Sequence, residues 1–270
     1  MSDYELVHAY ATVNLHRSGA AARIELNRPE KMNAWDTQLG LDLRHAVERV
    51  SADADVRAVL VTGAGRGFSS GADLSAGFDP TPEGHPDVRT ALVDRYHPII
   101  VGLREMPKPV VAAVQGPAVG IGCSLALASD LVLAAESAYF LLAFVNIGLT
   151  PDGGSSAFIP ARIGLTRALE LALLGERLPA PKALEWGLIN AVHADAELPA
   201  AAEALVQKLA AGPTRSYAGS KRQLNAWAYS GLAAQLELEA DIQQEQAATA
   251  DFAEGALAFL QKRAPEFRGV

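Results

Sequence analysis

The sequence predicts an α/β protein, and three observations carry that reading. Two apolar runs rich in β-branched residues, Asp55–Thr62 and Val110–Val114, are too short for anything but strands, the second of them buried. Gly-rich turns follow both runs, and stretches with helical character come after them. From Pro199 onward Ala, Leu, Glu and Gln dominate, with one strong interruption at Gly212-Pro213, as expected of three or four amphipathic helices. We therefore divide the chain into a core over residues 1–199 and a helical C-terminal region over 200–270.

Taken in order, Thr12–His16 and Ala21–Leu26 alternate around Ser18-Gly19 and predict a hairpin. NRPEKMNAW is a loop, and Asp36 or Thr37 can cap a helix reaching about Val50, with Leu39, Leu43, Ala46, Val47 and Val50 near helical spacing. The strand 55–62 leads into GAGRGFSSGADLS. Its opening G-x-G invites a dinucleotide-fold reading, but Phe68-Ser69-Ser70 stands where a phosphate-cradling turn should become a helix, and the third glycine is out of place. SSGADL reads better as a tight bend whose amides face a cleft. Residues 76–89 are Pro/Gly-rich and polar, as in a mobile surface segment, and 90–105 reads as helix.

The stretch from Met106 to Ser156 organises the rest. Strand 110–114 runs through QGPAVGIG into the apolar helix 123–128, Asp130 ends that helix, and LVLAA forms the next strand. The first amides of the helix have no intrahelical acceptors and can point at an anion or a polarised carbonyl. Further on, GLTPDGGSS presents Asp152 between a proline and two glycines. Helices are expected at 153–163, 167–174 and 181–186. Amide donors aimed at a carbonyl, with a carboxylate nearby, suit proton transfer at carbon beside that carbonyl. Asp152 is also placed to cap the helix that follows it. Ser124 reads as a small residue that keeps its helix close to the sheet, and Cys123 as a buried apolar filler.

Half of the 270 residues are hydrophobic and a fifth are charged, enough for a sizeable core. A formal net charge of −8 argues against a nucleic-acid partner, so any anionic ligand needs a local basic patch. The single cysteine excludes an intrachain disulfide. Charged residues interrupt every apolar run before it reaches membrane-spanning length, and MSDYELVHAY is acidic where a secretory leader would be basic, so a cytoplasmic protein is expected. The histidines at 8, 16, 45, 85, 97 and 193 lack ligand spacing, and no metal site is expected; a surface role is the reading for His85 and His97.

Six segments, NRPEKMNA, GAGRGFSSGADL, PKPVVAAVQGPAVGIGCSLALASDLVLAA, NIGLTPDGGSS, ALEWGLIN and DFAEGALAFLQKRAPEF, occur in an order that resembles the crotonase (enoyl-CoA hydratase/isomerase) superfamily over nearly the whole chain. The resemblance implies a spiral of β-β-α units with a C-terminal helical trimerisation region, and a homotrimer or hexamer. It also implies an acyl-CoA thioester whose carbonyl sits between two backbone amides, here those of Ala72 and Ile121. Coenzyme A enters as part of the substrate, so no separate cofactor is implied. Asp73 and Leu74 fall beside the adenine end of CoA, Lys31 near the entrance, and Lys262 at the phosphates bound by a neighbouring subunit.

Hydratases of this superfamily use two glutamates, and the matching positions here hold Ser124 and Phe144. A hydroxyl and a benzyl ring cannot share the addition of water to a double bond. Asp152 in TPDGG instead matches the aspartate of dienoyl-CoA isomerases, aryl-CoA dehalogenases and the ring-isomerase branch that acts on epoxyphenylacetyl-CoA. The last of these, with a Phe and a lone Asp, is the most similar. The resemblance thus implies an acyl-CoA isomerase with Asp152 as acid/base and Phe144 as a flat, dry wall. The alternatives are an enoyl-CoA hydratase with an unorthodox base and a catalytically silent CoA-binding assembly subunit.

Overall fold

The structure, a computed structural model, describes residues 4–270; the first three residues of the acidic N-terminal stretch lie outside that range. β1 (Glu5–Ala9) pairs antiparallel with β2 (Val13–Ser18), which pairs antiparallel with β3 (Ala21–Leu26) across the expected Gly19 turn. α1 (Thr37–Ala52) starts at Asp36, whose carboxylate accepts the Leu39 N–H at 2.8 Å. β4 (Ala58–Gly63) begins three residues later than the pattern implied, because the Val56 N–H donates to the Asp53 carbonyl at 3.2 Å and closes a turn there.

The helix expected over 90–105 is broken into α2 (Val88–Ala91), a π-helical turn (Leu92–Tyr96) and α3 (His97–Glu105). Pro98 has no N–H with which to continue an α-helical ladder, and the widened turn falls immediately before it. β5 (Val110–Val114) is buried at all five positions. Its valines each contribute roughly 1.5–3 kcal/mol by leaving water. β6 (Pro117–Val119), α4 (Ile121–Ala128), β7 (Leu131–Ala135) and β8 (Tyr139–Leu141) follow. α5 (Ser155–Leu174) spans both helices expected there, and Gly164, at φ 77°, marks the break between them. β9 (Leu178–Pro179), α6 (Ala180–Trp186) and β10 (Ala191–His193) complete the core.

Among the described residues, seven strands form one sheet in the order β1-β2-β3-β4-β5-β7-β10, parallel from β3 onward, and β6, β8 and β9 form a second. The repeat is visible in β5-β6-α4 and β7-β8-α5: a strand in the large sheet, a strand in the small one, then a helix. Single bridges between Trp35 and Ala72, and between Ser69 and Ala118, extend the inner layer to the two earlier loops. The Gly-rich bend and the start of α4 are thereby stitched side by side.

Four helices make up the tail among the described residues: α7 (Leu198–Ala211), α8 (Thr214–Ala228), α9 (Leu232–Ala247) and α10 (Ala250–Gln261). α7 buries Ala202, Val206 and Ala210 against β4 and β5, so the compositional change near 200 falls at the start of a helix that covers the sheet. α9 and α10 fold back on the same chain, α9 against α2 and α5, and α10 against the turn Val145–Ile147. No helix among the described residues is long and apolar enough to cross a membrane.

Candidate active site

A cavity of about 400 Å³ lies where the Gly-rich bend, the first turn of α4, the loop before α5 and the folded-back tail meet. Of the residues singled out by sequence, Ala72, Leu74, Ile121, Phe144 and Asp152 line it together. Lys31, Asp73 and Lys262 do not. Lys31 is exposed on the turn Pro29–Lys31, near the lining residues Met32 and Ser70. Burial works against the charge of Asp73, but the Ser75 hydroxyl and the Lys31 and Arg28 cations hold its carboxyl below the usual range. Lys262 is exposed and ends α10 in a left-handed conformation, at φ 55°, while the adjacent Arg263 lines the cavity.

The two residues whose amides the sequence resemblance singled out, Ala72 and Ile121, both line this space. The Trp35 N–H donates to the Gly71 carbonyl and the Asp73 N–H to the Trp35 carbonyl, both at 2.8 Å. That pattern leaves the Ala72 N–H on the opposite edge, where no acceptor among the described residues meets it. Ile121 is the first residue of α4, so its N–H has no intrahelical partner. The two turns touch: a Cβ built on Gly120 would lie 3.9 Å from Gly71 Cα and 3.6 Å from Phe144 Cζ. The Ile121 side chain turns away beneath the loop, its Cδ1 occupying the space of any Cβ at position 153, 2.4 Å away. Gly153, at φ 61°, is therefore required both for its conformation and for that packing.

Asp152 does not cap α5. The N-cap position belongs to Gly154, and the Asp152 carbonyl rather than its carboxylate accepts the Ser155 N–H (3.1 Å), the Ser155 hydroxyl (2.8 Å) and the Ser124 hydroxyl (2.7 Å). Ser124 thus anchors the loop that carries the acid. The Asp152 side chain is 6% exposed. Its Oδ2 accepts the Gln243 amide N–H at 2.8 Å, and its Oδ1 is buried with no partner among the described residues. Burial, then the nearby Glu239 carboxylate, pushes the Asp152 carboxyl up to about 8, against the opposing pull of the Gln243 donor.

Sequence reasoning missed the groups around this acid. Gln243 and Glu239 lie one turn apart on α9, where Glu and Gln read as an ordinary solvated face, yet they are 0% and 3% exposed. Tyr96 comes from the π-helical turn and shares the cavity, its ring edge-on to Trp35 at 5.0 Å. Phe78 comes from the Pro/Gly-rich segment and packs edge-on to Phe252 of α10 at 6.5 Å, so part of that segment closes the cavity. Of these, only an aromatic residue in an otherwise polar stretch, Phe78, gave a sequence signal. His97, read as a surface residue, is instead buried at the start of α3; burial, then Arg89, lowers it to about 4. Cys123 is buried as expected, its thiol pushed up to about 12 by burial. No cluster of His, Cys, Asp and Glu among the described residues could hold a metal ion.

The sequence and the fold both have counterparts among known proteins. 1,2-Epoxyphenylacetyl-CoA isomerase of Escherichia coli (strain K12) is 40% identical, the match covering 94% of this chain and 97% of that one. A probable enoyl-CoA hydratase of Rhodobacter capsulatus is 41% identical over 97% of this chain and 99% of its own. The crystal structure of an enoyl-CoA hydratase from Mycobacterium avium subsp. paratuberculosis K-10 matches with a TM-score of 0.88 and 38% identity, covering 96% of this chain and 100% of that chain. Residues 16–270 match the family model described as enoyl-CoA hydratase/isomerase. The protein has the crotonase fold, and the chain belongs to the enoyl-CoA hydratase/isomerase family.

Proposed function

We propose that the protein is an acyl-CoA isomerase in which Asp152 carries a proton between carbons of a thioester held by the Ala72 and Ile121 amides. The observation that carries this reading is the Oδ1 of Asp152, unpaired among the described residues and buried in the wall of the cavity that Ala72 and Ile121 also line. In its ionised form the carboxylate takes a proton from the carbon next to the thioester carbonyl or from its vinylogue. The C–H electron pair flows into the carbonyl, giving an enolate whose oxygen the two N–H groups stabilise. Each such donor is worth roughly 3–4 kcal/mol in comparable sites. The same carboxyl then returns the proton, either to another carbon, which moves the double bond, or to the atom released when the enolate's electrons break a bond of a strained ring, with no net gain or loss of atoms.

Several features support isomerisation over water addition. Ser124 Oγ is committed to the Asp152 carbonyl, and Phe144 packs against the Gly120 turn. Neither supplies a second acid. Phe144, Phe78 and Tyr96 offer an apolar, flat surface suited to an aryl or unsaturated acyl group. Among relatives, the Escherichia coli protein is named 1,2-epoxyphenylacetyl-CoA isomerase, and a Streptococcus mutans protein 32% identical is named trans-2-decenoyl-[acyl-carrier-protein] isomerase. The nucleotide end of CoA is assigned to the mouth near Lys31, Asp73 and Leu74, with Lys262 supplied by a neighbouring subunit.

The test is Asp152→Asn, assayed on aliphatic and aryl acyl-CoA thioesters in deuterated water. Turnover is expected to fall roughly 10²–10⁴-fold with acyl-CoA affinity nearly intact. Unchanged turnover removes Asp152 from the chemistry. The name of the Rhodobacter relative favours a second reading, enoyl-CoA hydratase. Hydration of crotonyl-CoA well above the Asp152→Asn rate would establish it, and acyl-CoA binding with neither hydration nor deuterium exchange would leave a silent binding subunit.

A further inference from the structure

The N-cap of α5 is Gly154, which has no side chain to cap the helix, and the first amides there are the natural partners of a carboxylate two residues upstream. Asp152 does not receive them. Glu239 of α9 reaches across instead: the Gly154 N–H donates to its Oε2 at 2.7 Å, the Ser156 N–H to its Oε1 at 3.1 Å, and the Ser156 hydroxyl to Oε1 as well. Asp152 is left with one donor, the Gln243 amide. The carbonyl of that same amide accepts the Thr150 N–H at 3.2 Å, which fixes its orientation and aims its NH₂ at Oδ2.

We propose that Glu239 and Gln243 are positioning residues for the proton carrier: Glu239 withholds the α5 N-terminus from Asp152 and keeps its carboxylate basic, and Gln243 leaves Oδ1 as the oxygen that exchanges the proton. For the reaction this rests on the isomerase reading, but the charge states it assigns do not. A carboxylate given two helix amides would be too weak a base for a carbon acid; one given a single neutral donor beside a second carboxylate is far better matched.

The other ionisable groups around the site are few. Burial raises Glu239 to about 7, opposed by Ser156 and the α5 amides. Tyr96, on the π-helical turn, is held well above its ordinary value by burial and then by Asp152, so it stays neutral. Arg263 of the tail also lines the cavity but is paired with Glu254.

The experiment follows the Asp152 carboxyl directly, by carbon NMR of the full-length protein labelled at aspartate Cγ, with the signal identified by its loss in Asp152→Asn. Glu239→Gln keeps an acceptor for the α5 amides but removes the charge, and the midpoint is expected to fall by about one pH unit or more. Gln243→Leu removes the one donor, and the midpoint is expected to rise. The rising limb of kcat/KM against pH should move with each. Loosening of the site would admit water and lower both midpoints, so opposite movement is the signature of the proposed roles. Unmoved midpoints, or two that fall together, overturn the proposal. Should Glu239→Gln not fold, a Gln243→Leu midpoint that fails to rise suffices to overturn it. Midpoints that move as expected in a protein that neither exchanges deuterium nor shifts a double bond would sustain the positioning and refute the isomerase reading.

Discussion

Asp152 is ionised at a cost to the fold, and the cost has a definite pH dependence. Its carboxyl is raised from an ordinary 3.8 to about 8 in the folded chain. Between those values the native state holds a proton that the unfolded state has lost. Stability therefore falls as pH rises from about 4 to about 8, and the full penalty applies above 8. Asp152→Asn removes the penalty while keeping a group that can bond Gln243. We expect the variant to be more stable than the parent at pH 9 by roughly 2 kcal/mol or more, with the gap closing toward pH 5. Thermal unfolding of both proteins at the two pH values checks this, and equal melting temperatures at pH 9 would contradict it. The same substitution is expected to cut turnover roughly 10²–10⁴-fold, so a gain in stability with a loss of activity would locate the strain at the chemical group itself. The importance of position 152 was legible in PDGG, where a lone acid stands before two glycines. Its partners were not, because Glu239 and Gln243 are distant in sequence and their residue types are the commonest on exposed helices.

Among the elements, α10 has the most direct bearing on the cavity. Gly255 lets it lie flat on the turn Val145–Ile147: a Cβ there would be 2.6 Å from the backbone of Ile147. Phe259 of the same helix and Ile147 beneath it both line the cavity. Gly255→Ala must lift α10 from this turn, since backbone cannot yield as a flexible side chain would. The expected result is a loss of about 1–3 kcal/mol in denaturant unfolding, with weaker acyl-CoA binding in calorimetric titration. Unchanged stability and affinity would mean that the contact is not maintained in solution. Strands β2 to β5 were readable from alternation and β-branched runs because burial on one or both faces writes itself into the residues that form them. α10's partner was not readable, since a glycine within a helix signals close approach without saying to what. The π-helical turn escaped for a related reason: Pro98 announces an interruption, but tertiary packing decides that Tyr96 enters the cavity.

At the scale of the whole molecule, folding the tail back leaves apolar surface that none of the described residues covers. Leu165, Leu169 and Leu173, four residues apart on α5, are 67%, 47% and 67% exposed. Trp227, near the end of α8, is 85% exposed. Three leucines in one helical stripe are not the scattered apolar residues of an ordinary surface. The occupant we assign to this stripe is a second copy of the chain, in keeping with the trimer or hexamer that the sequence resemblance implied. A helical face of this kind gains by association what it cannot gain by intramolecular packing. The double variant Leu165→Glu/Leu173→Glu places two charges on the stripe without touching the cavity, and burying either without a partner would cost several kcal/mol. Light scattering is expected to report an oligomer for the parent and a monomer for the variant, with circular dichroism showing that α5 remains helical. A monomeric parent at micromolar concentration would refute self-association altogether. An oligomer that survives both charges would move the contact from α5 to another apolar surface, with the exposed Trp227 face of α8 the next to test.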